Sequence, residues 1–350
     1  MDFVLEEHYL AKITPLVISR EVIKGQNNLF VKIKKGKHVG IGESVILGDM
    51  DESKARISQF LMTLDSYMPV PAYEKAKAFG LNAREIALVD LALWDLLAKE
   101  AKKPLYELLG LEYKAVDTSI TVSIGKPEWV YQRTLDLIVQ YNPKLIKVKL
   151  GAKEGIKADK LSFQSVISAI KDSAKSDQIE VFVDANGGWS LENAKEMMSW
   201  LKQYDIAYVE QPLAEKDEHQ LPLLYQDRVL PIFIDESCKF ASDVARLHQC
   251  IDGVNIKLLK CGGITEGLRI IHCAKAHGLK TMIGCFGETE ISISGAASLT
   301  PLLDYVDLDS FMNLDKSSLH GFNSQLYYKD GELNYTPVCT GHGVEYVGNE

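Results

Sequence analysis

From Ser119 onward the chain is a succession of short β-branched runs, each closed by a polar residue or glycine and each followed by an amphipathic stretch. The runs occupy residues 119–122, 145–149, 180–184, 207–210, 231–235, 253–257, 280–284 and 305–309. Their closing residues Lys149, Asp184, Glu210, Asp235, Lys257, Cys285 and Asp307 are separated by 35, 26, 25, 22, 28 and 22 positions, each interval long enough for a helix, two loops and the next strand. Strand–helix alternation at this spacing makes a parallel sheet, and eight repeats suit a closed α/β barrel. A doubly wound sheet is the competing layout, but no G-x-G-x-x-G or Walker phosphate turn follows an early strand.

The region before the repeats has a different grammar. Residues 3–46 alternate in short apolar runs such as Leu29-Phe30-Val31-Lys32-Ile33 and Val39-Gly40-Ile41-Gly42, broken by Lys-Gly and Gln-Asn-Asn turns, which predicts an antiparallel meander. From about Ser53 the period becomes helical, through Arg56, Phe60, Leu61 and Leu64 and then the apolar stretch 86–97, until Lys102-Lys103-Pro104. The expected organisation is an N-terminal α+β capping domain over 1–115, a modified TIM-like (β/α) barrel over 116–320, and a segment 321–350 packing back on the capping domain as a short strand pair.

Composition narrows the partners. The excess of 48 acidic over 39 basic residues gives a net charge of −9, which repels nucleic acid and anionic membranes alike. No apolar run reaches transmembrane length, and the acidic start Met1-Asp2-Phe3-Val4-Leu5-Glu6-Glu7 is unlike a secretory or transit segment, so the expected compartment is the cytoplasm. The six cysteines all lie in the last third with no C-x-x-C pair, which predicts reduced thiols rather than a disulfide framework or structural zinc. The oligomeric state is left open, a homo-oligomer included.

In a parallel barrel the strand ends converge on one mouth. Here three successive runs end in Asp184, Glu210 and Asp235, a donor set suited to a hard divalent cation such as Mg²⁺. The bland alternative is that each acid caps the following helix. Lys149 closes the run before the acids and Lys257 the run after them, so two amines approach the mouth from opposite sides. A lysine beside a dication and a second lysine can have its pKa lowered toward neutrality and act as a general base.

These residues, within Lys147-Val148-Lys149, Asp184-Ala185-Asn186, Glu210-Gln211-Pro212, Asp235-Glu236-Ser237 and the stretch 255–263, resemble the enolase superfamily, muconate-lactonizing subgroup, and within it the dipeptide epimerases. The likeness covers nearly the whole chain, since 87–110 also resembles the helix closing that superfamily's capping domain. It implies Mg²⁺ held by Asp184, Glu210 and Asp235, acid/base catalysis by Lys149 and Lys257, and a Lys147 that helps polarise the substrate carboxylate. The Lys-plus-Mg²⁺ design is itself a standard illustration of this superfamily. The implied reaction takes the proton α to a carboxylate, passes through an enediolate, and returns a proton from the opposite lysine, inverting the second residue of an L,L-dipeptide.

Asp307-Leu308-Asp309 resembles the D-x-D that pairs with a dipeptide's α-ammonium; two residues apart on a strand, both carboxylates face one side. Thr121 and Cys285 match positions lining the substrate cavity, with Glu288 as a supporting acid and Cys285 as inert lining rather than a nucleophile. Specificity is expected from the capping-domain loop Ile18-Ser19-Arg20-Glu21-Val22. Family members acting on Ala-Glu carry an arginine where this chain has Glu21, and Arg20, one residue earlier, is expected to point elsewhere. An acid there repels a glutamate side chain, while Ile18 and Val22 offer apolar surface, so a hydrophobic or cationic second residue is expected. The alternatives are an L-Ala-D/L-Glu epimerase, or a muconate cycloisomerase or o-succinylbenzoate synthase sharing the half-reaction. A barrel serving only as a binding module would have lost some of the five acid and lysine residues, and metal-assisted hydrolysis would want histidine ligands at the strand ends, where there are none.

Overall fold

The computed structural model describes residues 2–173, 175, 178–336 and 339–347. Strands β1 (Asp2–Val17), β2 (Val22–Lys35) and β3 (His38–Val45) form the expected antiparallel meander. One face of β2, carrying Leu29, Val31 and Ile33, is buried against helices α1 (Met50–Met62), α2 (Pro69–Phe79) and α3 (Ala83–Glu100). α3 begins where Asn82 and Glu85 form a reciprocal capping box, and its Leu88, Ala92 and Leu96 recur at helical spacing toward the sheet. Its approach is very close: a Cβ on Gly40 would lie 2.1 Å from the Ala92 carbonyl oxygen, and one on Gly42 2.0 Å from that of Leu88. The glycines of Val39-Gly40-Ile41-Gly42 thus let α3 lie on β3.

Beyond the edge strand β4 (Val116–Asp117) come eight parallel strands in sequential order: β5 (Ser119–Val122), β6 (Leu145–Lys149), β7 (Glu180–Asp184), β8 (Val209–Glu210), β9 (Ile232–Ile234), β10 (Gly253–Ile256), β11 (Lys280–Ile283) and β12 (Tyr305–Val306). Between β5 and β12 the ring is spanned by side chains: Ser119 Oγ donates to Asp307 Oδ1 at 2.5 Å, and the Leu308 N–H donates to Thr118 Oγ1 at 2.9 Å. The barrel interior is plugged by Phe182, Tyr208, Phe233 and Met282. Tyr208 stacks on Phe233 at 4.1 Å and on Phe182 at 4.7 Å, a dry floor beneath the mouth.

Among the described residues no helix closes the last repeat. Instead β14 (Leu326–Lys329) and β15 (Glu332–Tyr335) pair with each other and β15 pairs with β4, while β13 (Phe322–Ser324) pairs with β16 (Val344–Tyr346). This segment is anchored on the cap by buried Asp95 of α3, which accepts from the N–H groups of His342 and Ile41 at 2.9 and 2.8 Å and pairs with Lys99 at 2.6 Å. The six cysteines are free thiols, and no described helix is long and apolar enough to cross a membrane.

Cap and barrel are joined through buried acids that meet helix N-termini. Glu43 of β3 is fully buried and accepts from Thr289 N, Thr289 Oγ1 and Ser292 N at the start of the helix Glu290–Ala297, and from Asn28 Nδ2. Burial nevertheless pushes its carboxyl up to about 7. A raised folded-state pKa means that the folded chain holds a proton the unfolded chain releases, so this group's contribution to stability falls as pH rises from its unfolded value near ~4.3 toward 7. Glu43→Gln lacks that fall. The variant, weakened by its lost acceptor, should have a Tm deficit against wild type that narrows between pH 5 and pH 8; a deficit independent of pH would show Glu43 to be ionised throughout.

Candidate active site

The pairing register places the acids side by side. Lys149 is opposite Asp184 across β6 and β7, and Asp184 is opposite Glu210 across β7 and β8, so all three stand at one level of the rim; Asp235 follows β9 directly. Asp184 and Glu210 are fully buried and Asp235 nearly so, and one oxygen from each lies within 4.8 Å of the others. None of the three caps a helix: the helices that follow are capped by Ser190, Ala214 and Phe240. The capping alternative is therefore excluded by placement.

Such crowding needs cations, and the chain supplies four lysines. Lys149 Nζ lies 2.6 Å from Asp184 Oδ2, and Lys257 and Lys260 hold the two oxygens of Asp235 at 2.7 and 2.6 Å. Lys147, 1% exposed, lies 3.2 Å from Asp184, 2.8 Å from Glu210 and 2.8 Å from Asp307. Burial opposes ionisation of Asp184, yet Lys149 and Lys147 prevail and hold it at about 2; Asp235 is held lower still by Lys257 and Lys260. Glu210 has less help, and burial with the Asp184 charge pushes it up to about 7.

An all-carboxylate donor set at this spacing fits a hard dication with octahedral preference. Glu210 Oε2 bears this out: Lys147 Nζ is near but outside hydrogen-bond geometry, leaving a buried carboxylate oxygen without a hydrogen-bond donor. Asn255 Nδ2 donates to the other oxygen at 2.7 Å and orients the group.

Lys149 and Lys257 stand on β6 and just past β10, the second and sixth strands of the eight, and so face each other across the barrel. Burial alone would lower the Lys257 pKa, but the Asp235 charge holds it above the ordinary lysine value. The lowering expected from sequence thus does not come from protein groups; it requires Asp235 to share its charge with another cation.

Two cavities meet over these amines. One, of about 200 Å³, holds Thr121, Asp307 and Asp309 together with Ile13, Trp129, Tyr141 and Met312. The other, of about 420 Å³, runs under the turn of the β1–β2 hairpin and is lined by Leu16, Ile18, Ile23, Leu47 and Phe286, with Arg20, Glu21 and Arg84. Lys12, Leu16, Lys149, Lys257, Cys285 and Phe286 belong to both.

The sequence-predicted residues are placed as follows. Asp307 and Asp309 share a cavity, though not as neighbours on a strand face: β12 ends at Val306 and Asp309 precedes the 3-10 turn Ser310–Asn313. They also differ in commitment. Asp307 is bonded to Ser119 and paired with Lys147, whereas Asp309 has no ion pair among the described residues and accepts from the Thr121 N–H at 2.7 Å and the Cys285 thiol at 4.0 Å. Burial, then the Asp307 charge, pushes Asp309 up to about 6. Burial also raises the Cys285 thiol far above the thiolate range, as inert lining requires. Glu288 is buried and accepts from the Phe286 N–H of its own loop.

The specificity loop differs from expectation in two residues. Arg20 does not point away: it lines the larger cavity and pairs with Glu236 at 2.6 Å, while Ser19 Oγ donates to the Asn186 carbonyl at 3.0 Å, pinning the turn to the barrel. Val22 lines a separate outer pocket with Val17, Ile124 and Leu161 and is 55% exposed, because β2 starts there and turns its side chain away from the mouth. Ile18 and Glu21 do face the cavity, Glu21 with no ion-pair partner among the described residues. Lys260, Asn255 and Lys12 were not singled out by sequence. The first two lie in the quoted stretch 255–263, but Lys12 sits in an alternating strand and looks like a surface lysine.

Comparison with known proteins gives the following. Residues 3–110 match the mandelate racemase / muconate lactonizing enzyme N-terminal domain, and residues 131–349 the enolase C-terminal domain-like family. The chain is 45% identical over 318 residues to a hydrophobic dipeptide epimerase of Roseobacter litoralis, covering 89% of this chain and 91% of that protein. Its structure resembles that of a Cytophaga hutchinsonii dipeptide epimerase complexed with Mg and D-Ala-L-Val, with TM-score 0.88, 27% identity and coverage of 98% and 95% of the two chains. It likewise resembles an Enterococcus faecalis dipeptide epimerase complexed with Mg and L-Leu-L-Tyr, with TM-score 0.89, 27% identity and coverage of 98% and 99%.

Proposed function

Since the chain belongs to the dipeptide epimerase family of the enolase superfamily, we propose that it inverts the α-carbon of the second residue of a dipeptide by proton transfer between Lys149 and Lys257, with Mg²⁺ as cofactor and a hydrophobic second residue preferred. The observation that carries this is the opposition of the two amines, each anchored to a different outer acid of one carboxylate triad.

Asp184, Glu210 and Asp235 would hold the cation. When bound, Mg²⁺ supplies a dipositive charge that draws the substrate carboxylate to the mouth and offsets the negative charge developing as the α-proton leaves. Lys149, anchored at Asp184, and Lys257, anchored at Asp235, are the two amines placed to move the proton. One lysine takes the α-proton from one face and the other, as its ammonium, returns a proton to the opposite face. Lys147 pairs with Asp184, Glu210 and Asp307 and also lines the smaller cavity, so it holds these three carboxylates together and helps polarise the substrate carboxylate. Asp309, with Asp307 behind it, receives the dipeptide's α-ammonium, and the Phe182, Tyr208 and Phe233 floor keeps water from the barrel side.

With the ammonium at Asp309, the second side chain points into the cavity under the hairpin turn. Its apolar wall of Leu16, Ile18, Ile23, Leu47 and Phe286 favours a hydrophobic residue, and the Arg20–Glu236 pair is internally neutral. Relatives named hydrophobic dipeptide epimerases and complexes holding Val or Tyr as second residue agree. The unpaired Glu21 favours a cationic second residue as the alternative. Proton NMR in D₂O with Mg²⁺ tests both. The α-proton of the second residue should vanish from L-Ala-L-Leu and L-Ala-L-Phe faster than from L-Ala-L-Lys, and slowest from L-Ala-L-Glu. A clear lead for L-Ala-L-Glu sinks the specificity argument, and exchange in no dipeptide sinks the epimerase reading.

A further inference from the structure

We propose that Lys12, a residue of the capping domain, binds the amide carbonyl oxygen of the substrate's peptide bond and so selects an N-acylated amino acid over a free one; this rests on the dipeptide reading above.

Lys12 lies on β1 just after the run that pairs continuously with β2 as far as Ala11. That register break lets β1 lean on the barrel: the Asp315 N–H donates to the Ala11 carbonyl at 2.8 Å, and the Thr14 N–H donates to Asn313 Oδ1 at 2.8 Å. Held there, Lys12 follows Leu10 on the inward face and is only 9% exposed. Its ammonium makes no hydrogen bond or ion pair with any described residue. Cys285, Asp309 and Glu288 act on it only through longer-range charge interaction. Lining both cavities with no acceptor of its own among the described residues, this ammonium is placed to take one from a molecule that occupies them.

The position indicates which oxygen. Lys12 belongs to the wall common to both cavities, with Lys149, Lys257, Cys285 and Phe286. A dipeptide that places its ammonium at Asp309 and its second side chain under the hairpin turn crosses this shared wall with its peptide unit. Its two carboxylate oxygens would be taken by the cation that the acid triad would hold, so the amide carbonyl is the one strong acceptor remaining. An ammonium–carbonyl hydrogen bond there would fix the peptide plane and, with it, the direction in which the α C–H bond points between the two lysines.

The test compares a dipeptide with its thioamide counterpart, in which sulfur, a weak acceptor, replaces the carbonyl oxygen. For L-Ala-L-Leu, Lys12→Met should raise KM by roughly tenfold to a hundredfold, the range of a charge-assisted hydrogen bond. Wild type should show a similar rise on going from amide to thioamide, and Lys12→Met should lose little further on the thioamide. Lys12→Arg should recover part of the amide affinity. Calorimetric binding of both peptides to the Mg²⁺-loaded proteins gives the same comparison without turnover. Equal losses for amide and thioamide in Lys12→Met, or no loss for either, overturns the assignment to the carbonyl while leaving dipeptide epimerisation intact. A wild-type protein that neither binds nor turns over any dipeptide overturns both.

Discussion

Alanine at Lys149 or at Lys257 should lower epimerisation on the order of 10³-fold, the loss expected for a general acid/base, while leaving each variant able to exchange the α-proton of one epimer only. The one-sidedness follows from placement on opposite strands, β6 and β10, of an eight-stranded ring. With Lys149 gone, Lys257 still removes the proton from the epimer that presents it, trades it with solvent, and returns a deuteron to the same face; with Lys257 gone, the other epimer exchanges. Incubating each variant in D₂O with the L,L and L,D forms separately and following the α-proton by NMR gives four rates, two of which should be near background. Exchange of both epimers in either single variant would mean that one amine serves both faces. Each lysine also neutralises an outer acid, Lys149 on Asp184 and Lys257 on Asp235, so part of any loss reflects an uncompensated carboxylate. Lys149→Arg and Lys257→Arg restore the charge without an amine that readily gives up its proton, and should remain low in turnover.

The barrel was legible because its strands are short, β-branched and evenly spaced, so that period and interval locate them without any tertiary knowledge. The cap was legible for a related reason, a change of period from two to 3.6 near residue 53. What sequence could not supply was the detail of strand ends. β12 is two residues long, and Asp309 reaches the site from a 3-10 turn rather than from a strand face. The alternation argument therefore puts Asp307 and Asp309 in the same place for the wrong geometric reason. Val22 failed similarly: a hairpin turn of four residues leaves it on the first position of β2, where it faces outward.

The placement of the three acids and the two facing lysines was legible because a parallel barrel turns distant strand ends into neighbours, so the order of Lys149, Asp184, Glu210, Asp235 and Lys257 along the chain is also their order around the rim. Residues arriving from outside that ring leave no such trace. Lys12 comes from the cap across more than a hundred residues of sequence, and the register break in β1 with the Asp315–Ala11 and Thr14–Asn313 contacts brings it to the mouth. Arg20 is another such case, since its partner Glu236 is 216 positions away.

Asp309→Asn should lower kcat/KM for dipeptides roughly 10²-fold, mostly through KM, and should also remove an inflection from the pH profile. Burial, reinforced by the Asp307 charge, pushes Asp309 up to about 6 in the free protein. Below that pH the carboxyl is neutral and offers the α-ammonium of a dipeptide no opposite charge; above it the carboxylate pairs with the ammonium. Since kcat/KM reports the free enzyme, it should fall as pH drops through about 6 in wild type and lack that limb in Asp309→Asn. Glu288, also raised by burial, stays in place in both proteins, so the difference between the two profiles belongs to Asp309. Asp307→Asn should behave otherwise. Its carboxylate is bonded to Ser119 and paired with Lys147, which in turn touches Asp184 and Glu210, so its loss reaches the acid triad and should lower kcat and weaken Mg²⁺ binding as well as raising KM. A cycloisomerase or synthase substrate carries no ammonium. For such an enzyme Asp309→Asn would be mild at every pH, so an unchanged profile measured between pH 5 and pH 8 would remove the ammonium from the account and with it the chief distinction between a dipeptide and the rival substrates.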